Sequence, residues 1–590
     1  MPPHTVIDAV PEAKAGPATT RGEASHPRWS RAWAAPLWAH AAALGLVLLA
    51  LLPLISGRGL FSADEGALVA QARQLHDEGT WVVPHPFPEV DPTGAAFPYD
   101  LSQPTEDGGA PFVKHIVYPL LATPLFGLGG VEALRVLSIL GAVAAALAGA
   151  GVAGFVRPGL GRVTLWVVGL GSPLLFDSYL LIAHTLGAAA VTAALLVGLR
   201  AVGDRRARWA LLVPVLVLLA GLLRNEAILY GLALAAAFGV HALRRRERSA
   251  LLVAAGAGAG AVAAKVADGL LTQAVVSAAR PIGVPAGTSD GVVGLIGGRV
   301  EALLTTVLAP SYGGRPLGAL LVLLVGGLLV GAALAARRPI VDVGLVTVLV
   351  GAAALCAALR LLIAPIGLIP GLLAAFPLLL VGLCLLHREQ LRGAAALVAG
   401  TGGTFVVAVL ATQYTTGGSG EWGGRYFAVA LPTLVPLALA GLAASIPRFP
   451  REAVTRLAVA LLVVTACLAA SGVASLRAVV DGTDAIVAQV ASVAESTEAG
   501  DGGPPVVLTT GNALARLSWE HVPEGRWLLV DEAAVGEYAA RLRDGGVDRL
   551  VFVGDDPEGT EAAVEGSYRV VSTADAVDGA RWRVQVLAAS

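Results

Sequence analysis

The sequence predicts a polytopic α-helical membrane protein, with about 13 transmembrane helices, followed by a small C-terminal α/β domain outside the bilayer. Three observations lead there. The 590 residues are 56% hydrophobic and only 14% charged, with a mean hydropathy of +0.73, whereas a soluble domain carries about 25% charged residues. Apolar runs of roughly 20 residues, long enough to cross a bilayer, recur along most of the chain. The charge is also unevenly divided. Residues 477–590 hold 19 acidic and 9 basic side chains, while the whole chain has a net charge of -2. An acidic tail on a neutral-to-basic apolar body reads as two kinds of domain.

Residues 1–33 are rich in Pro, Ala, Ser, Thr and Arg and have no apolar periodicity, so they read as a disordered segment. The first apolar run, 34–55, starts too far in and is too long for a cleaved signal peptide, and reads as an uncleaved first span. The basic residues Arg21, Arg28 and Arg31 precede it, which places the N-terminus in the cytoplasm. A long polar segment, 56–130, then lies outside. Within it, 116–128 is apolar but short and is broken by Pro119 and Pro124. It reads as a helix lying on the outer membrane surface.

The remaining spans follow from hydropathy, and their direction from Lys and Arg in the short loops. Spans are expected at about 131–155, 163–175, 179–198 and 209–223. One more returns to Arg244, Arg245, Arg246 and Arg248, and another covers 250–274. After an outer loop of roughly 40 residues ending near Pro316, further spans run to Arg337–Arg338, out to a turn at 364–366, and back to His387, Arg388 and Arg392. The last three are 394–412, a return to Arg448, Arg451 and Arg456, and 457–474. Basic clusters then fall on alternate loops, as a correct count requires. The helical body is 34–476, and 477–590 is the extracytoplasmic domain. Its segments 505–510 and 549–554 read as strands, and between them lie WLLVD (527–531) and an amphipathic helix at 533–543, an α/β alternation. It shows neither a Gly-rich phosphate loop nor a nucleophile motif, and its plain reading is a docking or lid module.

Cys356, Cys384 and Cys467 all sit in apolar runs. They are expected to be packing residues, with no disulfide framework and no Cys-based metal site.

Residues able to carry chemistry gather on the outer side. The first outer loop has Asp64 and Glu65, then Lys114 and His115. The second has Asp177, with His184 just inside the next helix. Arg224, Asn225 and Glu226 follow. Later outer loops add Tyr312 and Arg315, and then Glu421, Trp422, Arg425 and Tyr426. Outward arginines oppose the positive-inside bias and call for a reason. A site that takes a sugar from a lipid phosphate supplies one. It needs a carboxylate to deprotonate the acceptor hydroxyl, cations to neutralise the phosphate, and a lipid-facing groove. Asp64 suits the first role, and Lys114, His115, Arg224 and Arg425 the second. Each residue also has a plain alternative. Asp64 and Glu65 suit the first turn of any helix, Lys114 can snorkel, the histidines can be satisfied interfacial residues, and Arg224–Glu226 can be a local ion pair.

The segments ADEG with ALVAQARQLHDEGTW (63–81), PFVKHIVYPLLATPLFGLGG (111–130), SPLLFDSYLLIAHTLGAA (172–189), GLLRNEA (221–227) and WGGRYF (422–427) resemble the GT-C class of integral-membrane glycosyltransferases. The likeness is to the dolichyl-phosphate-mannose and aminoarabinose transferase group and to actinobacterial envelope members. It covers about 34–444, and its motifs are loose. The resemblance implies an inverting enzyme that moves a mannose- or arabinose-type sugar from a polyprenyl phosphate to an envelope glycan, lipid or protein. It implies Asp64 as the catalytic carboxylate, with Glu65 orienting the acceptor or capping the helix. It implies Lys114 or His115 near the donor phosphate, although His115 stands where many members have Pro. His184, Arg224, Glu226, Tyr312, Arg315, Glu421, Arg425 and Tyr426 are the further substrate-binding candidates.

No cofactor is expected. Asp64 and Glu65 are adjacent and point about 100° apart on a helix, which does not favour both as ligands of one ion. The expected location is the plasma membrane, with membrane lipids as partners and no nucleic acid. Abundant Ala, Gly and Arg with almost no Lys fits a high-GC bacterium. Two other classes remain open: a transporter or flippase of lipid-linked glycan, which would show internal repeats and mid-membrane charges, and a non-catalytic envelope-assembly subunit.

Overall fold

The fold follows the division of hydropathy. In the computed structural model, which describes residues 35–55, 57–99, 109–111, 116–204, 206–276, 291–312, 316–412, 420–497, 502–577 and 582–590, a helical body carries a small α/β unit at one end. The N-terminal segment 1–33, Lys114, His115 and Arg315 lie outside the described residues.

The body opens with α1 (Leu37–Leu51) and the amphipathic α2 (Ala63–Asp77) of the first outer loop. A short pairing of β1 (Val82–Val83) with β2 (Ala110–Pro111) follows. Helix α3 (Val117–Val156) is broken by non-helical backbone at Gly129 and Gly130. Its first part corresponds to the surface helix expected at 116–128, and it leaves Leu120, Leu121 and Leu128 exposed. The chain continues through α4 (Gly161–Leu170), α5 (Leu174–Asp177), α6 (His184–Gly203), α7 (Leu212–Leu223), α8 (Asn225–Arg245), α9 (Arg248–Val276) and α10 (Gly291–Leu303). Then come α11 (Pro316–Ala336), α12 (Val343–Ile363), α13 (Pro377–Cys384), α14 (Ala394–Thr412), α15 (Leu431–Ser445) and α16 (Arg451–Glu495). The three cysteines are free and partly buried.

Among the described residues, 10 helices are long and apolar enough to cross a membrane. The three other expected spans coincide with shorter elements. One is α4, one is the run Ala207–Leu223, and one is α13, which Phe376 separates from the four-residue helix Leu372–Ala375. Proline explains two of the breaks. Pro173 follows α4 and Pro377 starts α13, and proline removes a helix-ladder donor and clashes with the preceding turn. The short elements still return the chain to the site end. Helix α6 begins at His184 beside Asp177 and ends at Gly203, yet α8 begins next to Arg224, whose side chain lies against Gly187. Residues 204–224 therefore bring the chain back, and the alternation of loops is kept.

Helix α16 carries the chain out of the body and into the α/β unit. Its five-stranded sheet has the order β4 (Arg526–Leu529), β3 (Val506–Thr509), β5 (Arg549–Gly554), β7 (Arg583–Ala589) and β6 (Tyr568–Thr573). The first three strands are parallel, and β7 and β6 join antiparallel. The helices α17 (Asn512–Leu517), α18 (Val535–Asp544) and α19 (Pro557–Val564) complete it.

The first outer loop is built into this unit. Phe87, Val90 and Ala96 belong to its apolar core, and the Leu529 N–H donates to the Ala96 carbonyl at 2.9 Å. The buried Asp91 carboxylate organises the loop. It faces His85 Nε2 at 3.0 Å and accepts from the Ala96 N–H at 2.7 Å and the Tyr538 hydroxyl at 3.1 Å. Helix α2 meets the same unit so closely that a Cβ at Gly66 would lie 2.0 Å from the Arg516 carbonyl oxygen. Loop and tail therefore occupy one face of the body.

Candidate functional site

Three loop segments meet where the body faces the α/β unit, and aromatic contacts fix their spacing. Phe61 and Phe176 pack edge to face at 5.1 Å, and Phe176 stacks on Trp422 at 6.2 Å. These rings stand within three residues of Asp64, Asp177 and Glu421. Glu65 locks the first two segments together. Ser62 and Glu65 form a capping box at the start of α2. One Glu65 oxygen accepts from the Ser62 N–H at 2.8 Å and the other from the Leu181 N–H at 2.7 Å. Burial pushes the Glu65 carboxyl up to about 7, against the pull of these N–H donors and of Arg135. Both oxygens are thus engaged by backbone of this chain. Of the two roles given to Glu65, the helix cap is present, and the same side chain also ties the loops.

Asp64 points elsewhere. Its Oδ2 lies 2.7 Å from Arg425 Nη2, with side-chain exposures of 17% and 16%. The other arm of Arg425 reaches Glu421 Oε1 at 3.0 Å. One guanidinium thus bridges two carboxylates that are distant in sequence. Its Nε–H is buried and has no partner among the described residues. Gly423 and Gly424, with φ of 73° and 75°, turn the chain between Glu421 and Arg425, and this left-handed backbone favours glycine.

A second layer surrounds this bridge. His184 Nδ1 is 3.5 Å from Asp177 Oδ1 and 4.0 Å from Glu421 Oε2. Burial pushes the Asp177 carboxyl well above its ordinary value, Glu421 adds to this, and Arg224 and Arg425 oppose it. Arg224 and Glu226 are buried and form a two-point pair, with contacts of 3.1 Å and 2.8 Å, which is the local ion pair weighed as the alternative for them. Tyr426 lies in the field of that pair and of Arg425. The site therefore unites Asp64, His184, Arg224, Glu226, Glu421, Arg425 and Tyr426 from the residues expected, together with Asp177, which the sequence places on an outer loop without a role. The sequence signal for Asp177 is a carboxylate inside the apolar run LLFDSYLL, and burying one there is costly without partners.

Asp177, His184 and Glu421 could hold a metal ion, because one donor atom from each lies within 4.8 Å of the others and all three are buried. A tetrahedral or octahedral cation with bonds of about 2.0–2.2 Å needs its donors somewhat closer than that limit. Asp64 and Glu65 are not part of this donor set. Arg425 already supplies positive charge to Glu421.

A cavity of about 730 Å³ opens beside the bridge, lined by Phe61, Ala63, Tyr312, Gly420, Ile486 and Trp582 among others. Tyr312, tied by its backbone to Leu368, therefore borders the cavity and not the ionic cluster. The lining is mostly apolar and draws on the body, α16 and the α/β unit together.

No protein-family model matches the chain, and neither does any curated protein. Among solved structures, ArnT from Cupriavidus metallidurans bound to undecaprenyl phosphate is similar over 95% of this chain and 98% of that chain, with 15% identity and a TM-score of 0.48. The apo state of the same protein gives 14% identity and a TM-score of 0.47 over the same shares. The apo oligosaccharyltransferase of Archaeoglobus fulgidus is similar over 87% of this chain and 69% of that chain, with 13% identity and a TM-score of 0.40.

Proposed function

We propose that this chain is a membrane glycosyltransferase that takes a sugar from a polyprenyl-phosphate carrier and passes it, with inversion, to an acceptor hydroxyl. The observation that carries the reading is the Asp64–Arg425 pair, partly exposed beside an apolar cavity. In this reading Asp64 accepts the proton of the acceptor hydroxyl as its oxygen attacks the anomeric carbon. The bond from that carbon to the lipid phosphate oxygen breaks, and the buried Nε–H of Arg425 donates to the departing phosphate. Charge placed in advance beside a leaving group is among the larger contributions a site can make. The apolar cavity suits the carrier chain.

The resemblance noted in the sequence supports a mannose- or arabinose-type sugar and an envelope glycan, lipid or protein as acceptor. The alternation of basic loops supports a plasma-membrane protein with a cytoplasmic N-terminus and the α/β unit outside. The reading needs no cofactor. Chelation is expected to leave turnover unchanged, and a loss restored by added Mn²⁺ would instead put a cation at Asp177, His184 and Glu421.

The test in cells is mass analysis of envelope glycans in a deletion strain complemented with wild type or with Asp64→Asn. The deletion should lack one sugar residue, which names donor and linkage together. The variant should be produced at normal levels and fail to restore that sugar. Full restoration by Asp64→Asn would remove Asp64 as the base.

A further inference from the structure

At the opposite end of the body from the carboxylate bridge, α8 and α14 enclose a second cavity, of about 520 Å³. The distance between the two sites follows from α8 itself. It starts beside Arg224 in the candidate site and ends at Arg245 on the cavity rim, and 21 helical residues span about 30 Å. The cavity has two chemically distinct parts. Its wall is made of small and apolar residues, including Ala236, Val240, Ala396 and Gly400, while Arg244, Arg245 and Arg392 stand at its mouth.

The depth is informative. On α14 the lining runs from Ala396 to Thr404, a rise of about 12 Å, with Arg392 and Gly393 just ahead of the helix; half of a hydrocarbon core about 30 Å thick is roughly 15 Å. The groove thus reaches through most of one leaflet, with Arg392 ahead of the helix at the headgroup level and an apolar wall below. No acid lines it among the described residues; Glu247, two residues beyond Arg245, faces His241 at 3.1 Å and Ser249, and Arg244, Arg245 and Arg392 have no acidic partner among the described residues. Another basic hollow at this end, lined by Arg337, His387, Arg388 and Arg448, includes Glu389, and Ala444 is its one apolar lining residue among the described residues. Loop orientation alone places basic residues at both hollows, but only the first pairs them with a slot for a chain.

We infer that the groove between α8 and α14 is a binding site for an anionic phospholipid, its phosphate at Arg244, Arg245 and Arg392 and one acyl chain along Ala236, Val240, Ala396 and Gly400. Charge complementarity selects the occupant. Basic pockets between membrane helices take anionic headgroups, and a zwitterionic lipid would leave the cluster uncompensated.

Native mass spectrometry of the purified full chain, titrated separately with phosphatidylglycerol, phosphatidylcholine and glycerol phosphate, tests this. Wild type should retain phosphatidylglycerol in preference to phosphatidylcholine and should not retain glycerol phosphate. Arg244→Gln, Arg245→Gln and Arg392→Gln together should erase the preference, with a loss of roughly fivefold per arginine. Ala396→Trp should displace the lipid with the charges intact, and Arg337→Gln with Arg388→Gln should change nothing. Equal retention of the two lipids by wild type would overturn the inference. So would an equal loss in the Arg337 and Arg388 variant, lipid retention unaffected by Ala396→Trp, or binding of glycerol phosphate as tight as that of the lipid.

Discussion

Arg425 is the residue on which the site turns, because a single guanidinium holds Asp64 and Glu421 at 2.7 Å and 3.0 Å. A lysine is a point charge and cannot copy a two-armed fork. Arg425→Lys should therefore keep the fold but lower turnover by about 10²-fold, the order seen when one preorganised donor is lost; single-turnover kinetics alongside thermal unfolding would separate the two effects. Glu65 makes a different prediction. Its carboxyl stands at about 7 in the folded chain against 4.5 ordinarily. The folded state binds the extra proton, so the stability it contributes is complete below pH 4.5 and is lost as pH rises through 7. The difference is about 3 kcal/mol. Glu65→Gln should flatten that part of the stability–pH curve, measured by thermal unfolding in detergent, with pH-independent stability in wild type counting against the assignment. Asp64 and Arg425 are legible in the sequence because charges on outer loops need a reason. The bond from Glu65 to the Leu181 N–H is not, since it joins positions 116 residues apart.

At the scale of elements, the loops are held by rings and by one buried acid. Phe176 touches both Phe61 and Trp422, so Phe176→Ala should cost about 3–5 kcal/mol and loosen Asp177 and Glu421 together, seen as lower turnover and a lower unfolding temperature. Asp91 ties the first outer loop to the α/β unit. Burial works against its charge, but His85, the Ala96 N–H and Tyr538 outweigh it and hold the carboxyl down to about 2. A lowered acid contributes stability above its ordinary value of 3.8, lost as pH falls through 2, and the amount is about 2 kcal/mol. Asp91→Asn should release the loop at neutral pH, detectable as faster proteolysis between residues 84 and 98. Long apolar helices and the strands β3 and β5 are legible from hydropathy and the α/β alternation. The antiparallel β6 is not, because most of its residues are exposed and its pattern carries little burial signal. The lengths of α4 and α13 are not either, since Pro173 beyond the end of α4 and Pro377 at the start of α13 interrupt runs that remain apolar.

The whole molecule combines a helical body, an outer loop and a tail unit into one site. The α/β unit, expected to be a docking or lid module, packs against both the first outer loop and the cavity. It holds residues 85–96 of the loop, abuts Gly66 two residues from Asp64, and lines the cavity through Trp582. Weakening this contact, for example with Gly66→Val, should therefore reduce turnover although no ionisable group is touched. The measurement that bears most directly on the central claim is turnover of a synthetic polyprenyl-phosphate sugar by the full chain in proteoliposomes, read as release of polyprenyl phosphate with an envelope-glycan extract as acceptor. Wild type should release the lipid phosphate catalytically, and Asp64→Asn should bind the donor with similar affinity but release none. Donor binding by wild type without any release, or equal release by both proteins, would contradict the assignment of this chain as an enzyme acting through Asp64.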